Sequence, residues 1–309
     1  MNVLSLFDGI SCGRVALERA GIGIDKYFAS EIDKYAMQIA QKNYPDTVHI
    51  GDVRDVRADD LPGIDLLIGG SPCQGFSRSG KGLNFDDPRS KLFFEYVRIL
   101  RECKPKSFLL ENVKMKKEYQ DIISEYLGVE PIEINSSKLS AQNRRRLYWT
   151  NIPGVTQPDD KGIVLKDILE HDGEFKCGYL AQYFEKHKKQ LVFSRDGLCH
   201  VGDADIKGNE SIKRVYHPDG KAPTLSTCGG GHREPKVLYN DGWRKLTPLE
   251  CERLQTLPDG YSEGVSNSQR YKGLGNGWTV DVVAHILMRL SARGENNQGL
   301  AWPERSSGR

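Results

Sequence analysis

Short apolar runs separated by helical spacing fill the first half of the chain. Residues 2–6 and 27–30 are β-prone, and further short runs follow at 48–50, 66–68, 108–110, 132–134 and 147–149. Between them apolar positions recur at helical intervals, over 14–20, 33–43, 91–103 and 119–127, and Pro45 stops the second of these segments. Strands alternating with helices predict an α/β domain with a mostly parallel sheet. Beyond Pro153 the rhythm breaks. Residues 162–261 are richer in Gly, His and Lys and show no clean alternation, apart from a helix predicted over 247–256. Residues 279–291 predict a C-terminal helix, and the polar stretch after it has no periodicity.

Composition narrows the class. A chain of 309 residues buries a sizeable core, enough for one large domain with a smaller one. Its formal net charge is only +2, so a nucleic-acid partner would have to be held by local positive charge. Mean hydropathy is −0.54 and no apolar run reaches membrane-spanning length, which predicts no membrane partner. The apolar N-terminus lacks a basic leader and reads as a first strand. Seven cysteines contain no CxxC pair, so neither a disulfide framework nor a metal site is expected, and a reducing, cytoplasmic setting fits.

Open α/β sheets bind ligands at the carboxyl ends of their strands, and the unusual residues fall there. "FDGISCG" follows the first strand, Glu31 the second and Asp52 the third. Glycines admit a ligand close to the backbone. An acid after the second strand can accept from ribose hydroxyls, and one after the third from an adenine amine. Alone, the Gly9-x-x-x-Gly13 spacing is equally an ordinary βα turn. Cys73, in "GGSPCQGFS", follows the fourth strand. Glu111 ends the fifth, where three apolar neighbours strip part of its hydration and favour a proton-holding role. "QNRRR" then brings arginines into an apolar strand. A thiol, a protonatable acid and guanidinium groups at adjacent strand ends form a candidate centre for nucleophilic catalysis.

The ordered series "FDGISCG", "SEID", "GDV", "GGSPCQGFS", "RSKLFFE", "ENV", "QNRRR", "RVYHPDGKAPTL" and "GLGNGWTV" resembles the C5-cytosine DNA methyltransferase family over nearly the whole chain. It is similar to the bacterial and phage type, with features like those of the vertebrate de novo DNA methyltransferases. Ser11 stands where many relatives carry glycine. The resemblance implies an S-adenosylmethionine-dependent, Rossmann-like sheet over 1–165, a small target-recognition domain over 166–261, and a return to the first domain from 262. It implies double-stranded DNA as partner, S-adenosylmethionine as cofactor (S-adenosylhomocysteine as product) and a bacterial or phage-encoded cytoplasmic enzyme. Protein partners are not legible.

In the family's roles, Cys73 adds to C6 of a flipped-out cytosine, Glu111 serves ring N3, and Arg146 contacts the base carbonyl. Arg144 supports the acid or a backbone phosphate. No side chain is identified as the base for the C5 proton; water would serve. Phe7, Gly9, Ile10 and Ser11 line the cofactor, with Glu31 on the ribose, Asp52 on the adenine amine, and Ile32, Val53, Pro72 and Leu92 packing nearby. Asn276 and Trp278 complete the pocket. Gln74, Ser79, Arg89 and Arg233 face DNA. The competing readings are a tRNA cytosine methyltransferase, which would share these motifs, and a catalytically silent DNA-binding relative, against which Cys73, Glu111 and Arg146 weigh. A thiol hydrolase lacks a histidine with a supporting motif.

Overall fold

The computed structural model describes residues 1–72 and 88–291. Seven strands come first: β1 (Asn2–Leu6), β2 (Lys26–Ser30), β3 (Val48–Gly51), β4 (Leu66–Gly69), β5 (Ser107–Val113), β6 (Ile132–Asn135) and β7 (Arg145–Thr150). Period-two alternation gives each buried strand two apolar faces. Val3, Leu66, Ile68 and Leu109 join one cluster; Leu4, Leu6, Leu67, Phe108 and Leu110 join the other. A sheet buried on both sides needs helices on both sides, and the sequence supplies them.

Those helices are α1 (Cys12–Arg19), α2 (Lys34–Asn43), α3 (Pro88–Cys103) and α4 (Lys117–Leu127). On α3, Phe93, Tyr96, Val97 and Leu100 recur at helical spacing and bury against the Leu4 face. Asp33 caps α2 by accepting from the Tyr35 and Ala36 amides, at 2.9 and 3.2 Å. Gly128, at φ 70°, ends α4 in the left-handed region that glycine enters without a Cβ penalty. The sheet runs β3-β2-β1-β4-β5-β7-β6, parallel through β5, with β7 antiparallel to both neighbours. Strand order therefore reverses between β1 and β4, and a crevice at the carboxyl ends is the expected consequence.

The region without clean alternation forms a second sheet. Strands β8 (Cys177–Gly178) and β9 (Leu180–Tyr183) precede the short helix α5 (Lys186–Lys189) and strand β10 (His200–Ala204). Helix α6 (Glu210–Lys213), then β11 (Arg214–Tyr216), β12 (Lys236–Tyr239) and β13 (Gly242–Lys245) follow. The order is β8-β13-β12-β11-β10-β9, over a small core of Cys199, Val201, Ala204, Val215 and Trp243. Finally α7 (Pro248–Leu254), α8 (Asn267–Asn276) and α9 (Val280–Ser291) return to the first sheet, and α9 packs on α1. Leu246, Cys251, Leu254, Leu257 and Tyr261 join the cluster on the Val3 face. The domain boundary expected at residue 261 thus falls inside that cluster, because α7 buries its apolar side there. Among the described residues no helix is long and apolar enough to cross a membrane.

Candidate active site

The turn after β1 is built from left-handed backbone. Phe7, Gly9 and Ser11 have φ of 57°, 60° and 59°, a region costly for residues with a Cβ. Asp8 holds the turn from below. Its Oδ1 accepts from the Tyr27 hydroxyl at 2.7 Å and its Oδ2 from the Ser11 hydroxyl at 2.5 Å. Burial pushes the Asp8 carboxyl above its ordinary value, against the opposing bonds from Ser11, Ser5 and Tyr27. Above the turn, Glu31 accepts from the amides of Gly9, Ile32 and Asp33, each at 2.8 Å. A Cβ on Gly9 would meet nothing within 4 Å, so the backbone there faces open space. Ile32 beside it is 72% exposed. Asp52 follows β3, and its bonds from the Arg54 guanidinium and amide keep the carboxyl below the usual range.

Glu111 lies two strands from β1, two residues before the end of β5. Its Oε1 is 2.8 Å from Arg146 Nε, and both side chains are nearly buried, at 11% and 12% exposure. The acid is desolvated and ion-paired at once. Asn112, the next residue, donates to the Ser71 carbonyl and hydroxyl at 3.4 and 3.3 Å. That contact fixes the Gly70–Ser71–Pro72 run as it leaves β4 towards Cys73. Trp278 packs against the residue that follows β4 and against α1. A Cβ on Gly70 would lie 2.9 Å from its Nε1 and 3.1 Å from Glu111 Oε2, and one on Gly13 would lie 3.2 Å from its Cζ3. Two bare glycines therefore admit the indole edgewise beside the acid.

The three consecutive arginines have three destinations. Arg146 pairs with Glu111. Arg145 turns outward to Glu133 at 2.9 Å and Asp196 at 2.5 Å. Arg144 is buried and donates to the carbonyls of Leu225, Gly275 and Gly277 at 3.1, 3.2 and 2.9 Å. Burial, with Arg146 nearby, lowers its pKa to about 10. Two buried thiols, Cys12 and Cys228, are poorly placed for nucleophilic attack: burial pushes Cys12 up to about 12 and Cys228 up to about 11.

A sequence model of the C-5 cytosine-specific DNA methylase family matches residues 1–292. The chain belongs to that family. The type II methyltransferase M.HhaI of Haemophilus parahaemolyticus is 30% identical over 319 residues, which span 94% of this chain and 94% of the relative. M.NlaX of Neisseria lactamica, also a type II methyltransferase, is 31% identical over 312 residues, 94% of this chain and 96% of that protein. The solved Entamoeba histolytica methyltransferase EhMeth shares the fold, with a TM-score of 0.71 at 18% identity over 96% of this chain and 99% of its own. The protein is a DNA cytosine-5 methyltransferase, and its first sheet is the S-adenosylmethionine-dependent methyltransferase fold.

Against that identity the expected site residues divide. Phe7, Gly9, Glu31, Asp52, Pro72, Glu111 and Arg146 gather at the carboxyl edge of the sheet. Ile10 and Ser11 are fully buried, so they support the turn and do not line its open side. Ser11 needs its hydroxyl on Asp8 to hold left-handed backbone where glycine would need no such bond. Val53 is buried in the Leu4-face cluster and Leu92 packs on it. Asn276 is exposed at the end of α8, and Arg233 is exposed on the loop before β12. Arg144 neither bonds Glu111 nor reaches the surface; its donors face the carbonyls of Leu225, Gly275 and Gly277, the last of which carries Trp278. Cys73, Gln74 and Ser79 lie outside the described residues, as does the side chain of Arg89. Asp8, Gly70 and Asn112 join the site beyond the expected residues. Their signal lies in the quoted motifs: Asp8 and Asn112 directly neighbour expected site positions, and Gly70 lies two residues before Pro72.

Proposed function

We propose that the enzyme methylates C5 of a cytosine flipped out of duplex DNA, through a thiolate adduct of Cys73 at C6. The observation that carries this reading is the Glu111–Arg146 pair, joined at 2.8 Å one strand from the run that leads into Cys73. C5 is a weak nucleophile until a thiolate adds at C6 and makes it enamine-like. That addition loads negative charge onto ring N3 and the base carbonyl. Glu111 Oε1 is held by Arg146, so Oε2, on the Gly70 side, addresses N3 with a proton. Arg146 faces the carbonyl and stabilises its charge. Loss of the C5 proton to water and expulsion of Cys73 then restore the aromatic ring. A stacked base cannot meet these groups, so the nucleotide must leave the duplex.

The residues at the strand ends fit S-adenosylmethionine, which when bound supplies an electrophilic methyl group. Gly9 gives unobstructed backbone, and Glu31 is oriented by its three amide donors with lone pairs left for ribose hydroxyls. Asp52, kept charged by Arg54, takes the adenine amine. Ile32 offers an exposed apolar face, Phe7, Val53, Pro72 and Leu92 pack nearby, and Asn276 and Trp278 close the far end. Ile10, Ser11 and Asp8 act from beneath. The second sheet, with Arg233 on its loop, is the unit that reads duplex DNA, and Gln74, Ser79 and Arg89 approach it from the nucleophile's side. The enzyme acts in the cytoplasm of a bacterium.

Bisulfite sequencing of DNA from a host expressing the protein tests this reading. We expect protected cytosines within one short recurring sequence, and none with Cys73→Ala. Unprotected DNA together with labelled methyl transfer to tRNA would overturn the choice of substrate.

A further inference from the structure

Gln255, just beyond α7, is fully buried and uses every hydrogen-bonding position of its amide. Its Nε2 donates to the carbonyls of Leu274 and Gly277, at 2.7 and 3.2 Å. Its Oε1 accepts from Gln142 Nε2 at 3.2 Å and Thr279 Oγ1 at 2.9 Å. Arg144 reaches the same Gly277 carbonyl at 2.9 Å. The peptide that carries Trp278 is thus gripped from two sides, by a side chain of β7's approach and by one from α7's end. From that grip the indole extends between Gly13 and Gly70, with Nε1 and Glu111 Oε2 both facing the bare Gly70 position. A tryptophan wedged only by packing would need neither grip. Both carbonyls lie at the end of α8, where helix geometry leaves backbone acceptors unpaired.

We propose that Gln255 is a positioning residue for the cofactor: by holding the Gly277 carbonyl it sets where Trp278 stands, and so sets cofactor affinity. This rests on the reading of Trp278 as the far wall of the cofactor pocket. Gln255→Met keeps the volume and removes the donor. The Gly277 carbonyl then keeps Arg144 alone, with Cys12 still on the Trp278 amide, and the indole is held less firmly in place. The segment leading to the second sheet stays anchored, since Leu225 is bonded to Gln142 and Arg144 and not to Gln255. Cofactor binding should therefore suffer selectively.

The test measures S-adenosylhomocysteine binding by calorimetry, duplex DNA binding by anisotropy, and folding by circular dichroism. For folded Gln255→Met we expect cofactor affinity to fall roughly tenfold, the scale of one buried hydrogen bond. The KM for S-adenosylmethionine should rise with it, while DNA affinity stays within about twofold, well inside that loss. Gln255→Glu keeps the acceptor without the donor and should behave like the methionine variant. Thr279→Val removes the hydroxyl that orients the amide, which also accepts from Ser136 Oγ at 2.9 Å, and should weaken cofactor binding in the same direction by less. It carries the test if the Gln255 variants do not fold. Unchanged cofactor affinity in a folded Gln255 variant, or equal losses for cofactor and DNA, would overturn the proposal. Trp278→Ala separates the two levels. If it leaves affinity unchanged, the reading of the pocket fails; if it weakens binding while the Gln255 and Thr279 variants do not, only the role of Gln255 fails.

Discussion

Gly70→Ala adds one methyl group at the point where Trp278 and Glu111 meet. The new Cβ would stand 2.9 Å from Trp278 Nε1 and 3.1 Å from Glu111 Oε2, about 0.5 and 0.3 Å inside ordinary contact. Neither neighbour yields freely. Trp278 has its opposite edge against Gly13 and its preceding carbonyl held by Arg144 and Gln255. Glu111 is tied to Arg146 at 2.8 Å. Overpacking of this kind costs about 1–3 kcal/mol. A reacting group displaced by ~1 Å loses on the order of 10² in rate, so a shift of a few tenths of an ångström should cost roughly tenfold. The assay is single-turnover transfer of a labelled methyl group to duplex DNA, alongside a urea unfolding curve. Gly21→Ala is the control: its φ is 70° with nothing within 4 Å of the Cβ, so it should lose stability and keep its rate. A folded Gly70→Ala enzyme with a normal single-turnover rate would refute the steric argument.

Glu111→Gln keeps shape but removes the proton-holding acid, and should slow transfer by roughly 10²–10⁴-fold with little change in DNA affinity; near-full turnover would place the proton elsewhere. Arg244→Met should destabilise the fold by about 3–5 kcal/mol in urea titrations. It strands Glu250, whose bidentate pair with Arg244 at 2.6 and 2.8 Å is 0% and 1% exposed. A loss below the error of the extrapolation would refute that. Asp65 accepts from Lys106 at 2.8 Å and from the Asn2 amide at 2.9 Å, and the Lys106 bond holds its carboxyl below the ordinary 3.8. A depressed carboxylate stabilises the fold above its unfolded pKa and loses that contribution as pH falls through the folded one. The stability gap between wild type and Asp65→Asn should therefore be full above pH 4 and close below it, as read from unfolding midpoints across pH; a gap independent of pH would contradict the assignment.

The first sheet was legible because its strands are short apolar runs punctuated by helices with clear apolar stripes, as on α3. Where packing overrides local pattern, legibility ended. Helix α8 has glycines at 273 and 275 and buries only Leu274 and Gly275, so it carries no stripe to read. Its C-terminal carbonyls are instead held by Gln255 and Arg144, and it packs on α7 and α2. The second sheet is built from strands of two to five residues around a small core, too short for alternation to register. In the site, sequence gave residue types at strand ends but not the direction of each side chain. "QNRRR" does not say that Arg144 turns inward to backbone carbonyls while Arg146, two residues on, meets Glu111. Nor does "FDGIS" reveal that Ser11 is spent on Asp8, because that bond follows from the left-handed turn.

Covalent attack by Cys73 on C6 of the target base is tested most directly with a fluorinated substrate. Fluorine at C5 cannot leave as a proton does, so duplex DNA carrying 5-fluorocytosine in the target sequence should arrest the reaction after methyl transfer. We expect a denaturation-resistant adduct that requires S-adenosylmethionine, maps by peptide mass to the segment containing Cys73, and is absent from Cys73→Ala. A stable adduct formed equally by Cys73→Ala, or one mapping to another residue, would contradict the account.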